Sequence, residues 1–321
     1  MTNTANGELL MSKKLQGNIM LLVTALIWGS AFVAQSEGMD YVEPFTYNAM
    51  RTLLGGIILI PIIAIFRISG KRSGNQTRER APLKTTVTGG ICCGVILFLA
   101  SSFQQWGITM TTAGKAGFIT ALYIIIVPIL ELIVYRRNRA MIWVCVAVAT
   151  AGFYLLSIKS GFTIGKGDLL VLCCSLFFAV HIMVVDCFNE KNTDGMLMSC
   201  IQFFTAGVLM LIGMIIFENP QIDRILDAKY TILYAGIMSS GVAYTLQIIG
   251  QRYTDPTSAT LLMSLESVFA ALSGWLILNE KLNAKELTGC ILVFTAVILA
   301  QLKMPWEGKK IGTEKKNEKT S

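Results

Sequence analysis

Apolar residues run through this chain in long blocks, separated by short polar connectors. Within the blocks the apolar character does not fall on one face, as it would in a helix lying on a soluble core, but continues all round. A helix needs about 20 mostly apolar residues to cross a bilayer. The pattern predicts spans over 17 to 36, 45 to 66, 86 to 108, 114 to 135, 141 to 158, 168 to 188, 197 to 217, 230 to 251, 258 to 278 and 286 to 302. The fifth and the tenth are the shortest. The stretch before the first span, Met1 to Gln16, is polar, and no small-residue cleavage site follows it, so the first span reads as a retained helix rather than a signal peptide.

After the fifth span the pattern restarts. Gly17-Asn18 opens the first set and Gly167-Asp168 the second; from there Trp28 falls against Phe178 and, after one extra residue, Arg51 against Gln202. Gln104 to Leu122 then aligns with Gln247 to Leu265 without a gap. Because five is odd, the second copy enters the membrane from the opposite side. The expected fold is an all-α integral membrane protein of ten transmembrane helices, built as two inverted five-helix repeats. Residues 17–158 form the first repeat and 167–302 the second. Residues 1–16 form an N-terminal cytoplasmic segment and 303–321 a basic cytoplasmic tail. Inverted repeats suit alternating access, since two pseudo-symmetric halves can exchange conformations around a fixed midplane site.

Composition agrees: 54% of the 321 residues are hydrophobic and 15% charged, against about 25% charged in soluble domains. Mean hydropathy is +0.60. The net charge of +7 becomes informative once the charges are placed. Lys13, Lys14, the six basic residues between Arg67 and Lys84, Arg136, Arg137, Arg139, Lys191, Arg252 and the lysines of the tail fall on one side. The other side holds Lys115, Lys159, Lys166, Arg224, Lys229, Lys281 and Lys285, and its first loop carries only Glu37, Asp40 and Glu43. Cytoplasmic flanks are enriched in lysine and arginine, so both termini are expected in the cytoplasm and the protein in the plasma (inner) membrane. The basic tail mixes Lys with Glu and reads as a solvated end near anionic lipid, not as a nucleic-acid site.

Several function classes lose support. The longest connector, Arg67 to Lys84, is too short for a soluble domain, which a receptor would ordinarily report to. All eight cysteines lie in or at the ends of apolar spans without zinc-site spacing, so they read as small packing residues and no metal is expected. A single histidine rules out the two-histidine zinc helix, and no glycine-rich phosphate loop is present. Neither a cofactor nor an enzymatic activity is expected.

Specific residues carry a resemblance. Leu26-Ile27-Trp28-Gly29-Ser30-Ala31-Phe32 in the first span, Pro44 and Arg51 in the second, and the run from Ser264 to Leu282 in the ninth resemble the drug/metabolite transporter superfamily, EamA type. The likeness covers residues 17 to 302. Ser267 stands where a proline commonly follows the glutamate in that family. The resemblance implies a ten-helix inverted repeat of two EamA domains and a carrier of small metabolites or drug-like solutes, with efflux as the direction. It does not name a substrate, since members move amino acids, sugars, nucleotides and drugs.

Polar groups within the spans are the candidate site, because an ionised side chain at the bilayer centre costs about 2.5–3.5 kcal/mol even on the lenient insertion scale. Glu266 lies mid-span in the ninth helix, and the repeat puts Tyr123 at the equivalent place in the fourth. Two roles are open for Glu266: contact with a substrate amine or a coupling proton, or a hydrogen bond that holds helices together. His181, opposite Ala31 in the repeat, is a second and weaker candidate for proton coupling, and a neutral histidine satisfied by a neighbouring helix is the favoured reading. Gln104 and Gln247 form a repeated pair able to donate and accept, either to a polar solute or between helices. Trp28 and Phe178 would supply apolar walls. Arg51 could attract an anionic substrate, but its long side chain can also snorkel to the outer surface or pair with Asp40 or Glu43, and the neutral Gln202 at its repeat position argues for this structural reading. Glu131 and Asp186 read as interfacial groups. Gly90 and Gly94 predict a close helix approach inside the bundle.

The sequence therefore reads as a secondary transporter with a small-molecule substrate, lipid surroundings and no nucleic acid, for which a monomer is sufficient. A membrane enzyme acting on lipid or peptide, or a scaffold or sensor, is the alternative.

Overall fold

The computed structural model describes residues 2–72, 81–111, 113–136, 140–157, 165–277 and 284–302. Every element among them is helical. The first half holds α1 (Thr2–Gly38), α2 (Pro44–Arg72), α3 (Leu83–Ile108), α4 (Ala113–Thr120), α5 (Tyr123–Tyr135) and α6 (Ala140–Ser157). The second holds α7 (Lys166–Glu190), α8 (Gly195–Phe217), the short α9 (Ile222–Asp227), α10 (Lys229–Tyr234), a π-helical segment (Ala235–Tyr244), α11 (Thr245–Gly250), α12 (Pro256–Met263), α13 (Glu266–Ile277) and α14 (Ala284–Leu302). The basic tail and residues 73–80 of the connector lie outside the described residues.

Among the described residues seven helices are long and apolar enough to cross a membrane, and Ile142–Leu155 and Leu287–Leu299 are shorter apolar helices at the expected fifth and tenth spans. The predicted ninth span differs from expectation in being divided, into α12 and α13. The fourth is divided in the same way, into α4 and α5. Both divisions tighten the helix without proline. Leu122 N donates to Ile119 O and Ile124 N to Ala121 O, three residues back instead of four; Leu265 N to Leu262 O and Ser267 N to Ser264 O repeat the pattern. These positions are the ones that the alignment of Gln104 to Leu122 with Gln247 to Leu265 makes equivalent. The second half-helices therefore begin at Tyr123 and at Glu266.

Local chemistry explains where the other elements begin. Asp194 caps α8 by accepting from Leu197 N at 3.3 Å. Asp255 caps α12, accepting from Ser258 N at 3.0 Å, with Pro256 in the first turn, where its missing N–H costs nothing. Asp168 turns back to accept from Gly165 N at 2.7 Å at the start of α7.

The packing has a regularity of its own. α3 runs along α7, while α1 runs along the π segment and α11; α1 meets α13, while α7 meets α4 and α5. α2 packs on the π segment, α3 on α8, α2 on α8 and α6 on α14. Exchanging each helix of one half for its counterpart in the other leaves these pairings unchanged. Glycines show it at atomic scale. A Cβ on Gly17 would lie 3.0 Å from Gly250 O, and one on Gly167 would lie 3.0 Å from Gly107 O. Each crossing needs a residue without a side chain, and the two are equivalent in the repeat. Gly90 and Gly94 do face the bundle: a Cβ there would come within 2.6 Å of Ile201 and 2.5 Å of Thr205 on α8.

Candidate functional site

A cavity lies where α1, α2, α3, α7, the π segment and the two divided spans converge. It holds about 440 Å3 of atom-free space, counting its open mouth. Its walls are built largely from repeat mates: Trp28 with Phe178, Phe32 with Ile182, Gln104 with Gln247, and Tyr123 with Glu266. Gln35, Arg51, Thr120, Ser239 and Tyr244 complete the lining.

The divided spans bring the central pair together. Tyr123 and Glu266 occupy the same place in their repeats, and Tyr123 Oη donates to Glu266 Oε1 at 3.0 Å. Both are buried, Glu266 at 3% exposure. Oε1 is thereby satisfied, while Oε2 has no hydrogen-bond partner among the described residues. Glu266 is held in place from behind by α1, because Gly29 admits the backbone of α13: a Cβ there would lie 2.6 Å from Glu266 O. The Gly29 of the sequence pattern thus has a packing role directly against the backbone of Glu266.

Around this pair the cavity offers neutral polar groups that are only partly spent. Gln104 Nε2 donates to Thr120 Oγ1 at 3.2 Å. Gln247 Oε1, Gln35 Oε1 and Trp28 Nε1 have no hydrogen-bond partner among the described residues. A buried polar atom left in this condition ordinarily finds water or a ligand. Tyr244, at the C-terminal end of the π segment, is the aromatic hub. Its ring lies 4.7 Å from Trp28 in a tilted contact, and Phe203 and His181 meet it edge-on at 5.7 and 6.1 Å.

Six of the seven residues singled out from sequence line this cavity: Trp28, Gln104, Tyr123, Phe178, Gln247 and Glu266. His181 does not. It is fully buried one layer behind, against Tyr244, and shares a 3.0 Å hydrogen bond between its Nε2 and Gln202 Oε1. Its Nδ1 has no partner.

Arg51 corrects the sequence reading. It neither snorkels outward nor pairs with Asp40 or Glu43; it is 4% exposed and lines the cavity. The cause is Asn48, one helical turn earlier. Asn48 Nδ2 donates to Ser101 O at 3.0 Å, and Asn48 Oδ1 accepts from Arg51 Nε at 2.8 Å. A local neutral acceptor, pinned to α3, turns the guanidinium inward. Glu131 and Asp186, each near the C-terminal end of its helix, are buried against neighbouring helices. Glu131 accepts from Thr257 Oγ1 at 2.5 Å, joining α5 to α12, and Asp186 accepts from Tyr135 Oη at 3.4 Å.

Sequence reasoning missed Thr120, Tyr244, Phe32, Ile182, Gln35 and Ser239. Helical spacing marks the first two, which sit three residues before Tyr123 and Gln247 and so share their faces. Among the described residues no group of histidines, cysteines and carboxylates is placed to hold a metal.

With this geometry in hand, the comparison with known sequences is direct. The EamA-like transporter family matches residues 15–159 and again 165–302. The chain belongs to the EamA-like transporter family. An uncharacterized transporter of Archaeoglobus fulgidus is 30% identical over 295 residues, covering 91% of this chain and 88% of its own. The uncharacterized inner membrane transporter YedA of Escherichia coli K12 is 25% identical, covering 88% and 89%. A chloroplastic WAT1-related protein of Arabidopsis thaliana is 23% identical over 87% of this chain. A solved crystal structure superposes with a TM-score of 0.70 at 18% identity, covering 89% of this chain and 96% of its own, which establishes likeness of fold. This EamA-like protein is accordingly a multi-pass membrane protein of a transporter family.

Proposed function

We propose that this protein is an alternating-access secondary transporter that exports a small organic solute across the plasma membrane, with both termini cytoplasmic. The observation that carries the reading is the Tyr123–Glu266 pair, set at equivalent helix divisions of two halves and lining one cavity. Discontinuous spans at the interface of inverted repeats are where carriers hold substrate and coupling ion. The exchange-invariant pairings of the helices support ten spans in two inverted repeats. The cavity is enclosed by one chain, so a monomer suffices, with lipid as its surroundings. Export rests on family resemblance and the orientation on the distribution of basic residues.

Trp28 and Phe178 serve as apolar walls, and Gln104 and Gln247 as neutral donors and acceptors for the solute. Glu266 serves as the coupling site, its free Oε2 available to a proton or to the solute. His181 acts from behind Tyr244 and supports that wall.

Untargeted comparison of metabolites in cells and medium, with and without the protein, tests the central reading. Expression is expected to move at least one organic solute from cells to medium, and Glu266→Gln is expected to abolish the shift. An unchanged distribution overturns it. Flux of that solute in proteoliposomes should respond to a pH gradient in the wild type and lose the response in Glu266→Gln. Flux indifferent to the gradient in both removes the proton from the mechanism.

A further inference from the structure

The sequence demoted Arg51 because its repeat mate is the neutral Gln202. The structure places that arginine in the wall of the cavity, with no carboxylate paired to it among the described residues. Among the described residues Arg51 makes no ion pair, and its one hydrogen bond runs from Nε to the neutral Asn48 Oδ1. A guanidinium has five N–H donors, so four remain without a protein partner. Glu266 is the mirror case: it has no ion pair, one donor in Tyr123, and a free Oε2. The guanidinium and the carboxyl line one cavity without bonding to each other. Tyr244 lies within electrostatic reach of both.

Removing either charge from water is costly unless an opposite charge or several hydrogen bonds compensate it. A protein that only needed these residues for packing would pair them with each other or with a neighbour. Instead Asn48 is tied to Ser101 O and holds the Arg51 fork in a fixed direction. A fixed guanidinium fork matches the two oxygens of a carboxylate. The carboxyl of Glu266 with the Tyr123 hydroxyl matches an ammonium group. Trp28, Phe178 and Tyr244 provide apolar and aromatic surface for what lies between.

We propose that Arg51 is an anion subsite and Glu266 a cation subsite of one binding site, and that the substrate is a zwitterion carrying a carboxylate and an amine. This rests on the transporter reading and adds the substrate class. The subsites differ in construction: Arg51 presents a planar fork of donors, while a carboxyl can also release its ligand by taking a proton.

The full-length protein in detergent is titrated with amino acids whose amine stands at the α, β, γ or ω position, and with two analogues of each. The amide lacks the anion, and the N-acetyl derivative lacks the cation. At least one zwitterion is expected to bind about tenfold to a hundredfold more tightly than both of its analogues, the scale of losing one charged hydrogen-bonded contact. Arg51→Gln should abolish the preference over the amide but keep the preference over the N-acetyl form; Glu266→Gln should do the reverse. Arg51→Lys, which keeps the charge, should retain part of the first preference, and this separates recognition from folding. Amides or N-acetyl forms that match the zwitterions in the wild type overturn the inference, as does failure of every zwitterion to bind. Export of a solute that is not zwitterionic overturns it while leaving the transporter reading intact. Zwitterion binding without transmembrane flux has the opposite meaning.

Discussion

Tyr123 gives Glu266 the only hydrogen bond its carboxyl receives among the described residues. Replacing Tyr123 with Phe keeps the ring and removes the donor, leaving both carboxyl oxygens without a protein partner. The expected cost is about 1–3 kcal/mol, read as a lower thermal unfolding midpoint of the purified protein in detergent. An unchanged midpoint would mean that the bond contributes nothing to the fold. At this scale the sequence was a good guide wherever a neutral polar or aromatic residue recurred in the repeat. Gln104, Gln247, Tyr123, Trp28 and Phe178 all line the cavity because hydrocarbon rejects polar groups and the repeat fixes which face they share. It was a poor guide for Arg51, whereas His181 takes the packing role the sequence favoured, bonded to Gln202 on a neighbouring helix. A long side chain can reach either water or the interior, and only the acceptor at Asn48 decides between them. A histidine on a helix facing the interior meets either the cavity or a neighbouring ring, according to a rotation that no residue type reports.

The helices divide at Leu122 and Leu265, and neither division needs a proline. Their tightening comes from hydrogen bonds that reach back three residues, a short stretch of 3₁₀ geometry such as often marks a hinge. Ser267→Pro, which supplies the residue common in the family, removes only one such bond and the hydroxyl contact to Gly117 O at 3.2 Å. It is expected to yield a folded, monodisperse protein. Phe269→Pro, two residues on, removes the ordinary four-back bond to Leu265 O at 2.9 Å and should cost about 3 kcal/mol or more. Size-exclusion profiles and unfolding midpoints of the two variants check the contrast. The divisions escaped the sequence because apolar composition stays continuous through both. The π-helical segment escaped it as well, since Ala235 to Tyr244 looks like any small-residue stretch of a span. What was legible was the alignment of Leu122 with Leu265, which became meaningful only when both proved to be bends.

The whole molecule combines two halves that its packing treats as equivalent and a set of contacts that it does not. Glu131 and Thr257 bridge α5 and α12 about two helical turns from Tyr123. On the orientation proposed from the basic residues this is the cytoplasmic end, and on the proposed exchange the bridge would hold that side together. Under the repeat Glu131 corresponds to Gly274 and Thr257 to Gly114, and no such bridge can form between two glycines. On the proposed exchange between the halves, positions 114 and 274 take the relation that 257 and 131 have now. In a cysteine-free background, a short thiol-reactive cross-linker should join Cys placed at 131 and 257 in the resting protein. The pair Gly114→Cys and Gly274→Cys should be joined more readily once substrate and a proton gradient cycle the carrier. Equal yields under both conditions would show that the halves do not trade places. Because one side has a carboxyl and a hydroxyl where the other has two glycines, the two closed ends differ in strength. If the halves trade places as proposed, such unequal latches favour resting with the bridged end shut, and solute entering at that end must first break a hydrogen bond that solute entering at the other does not meet.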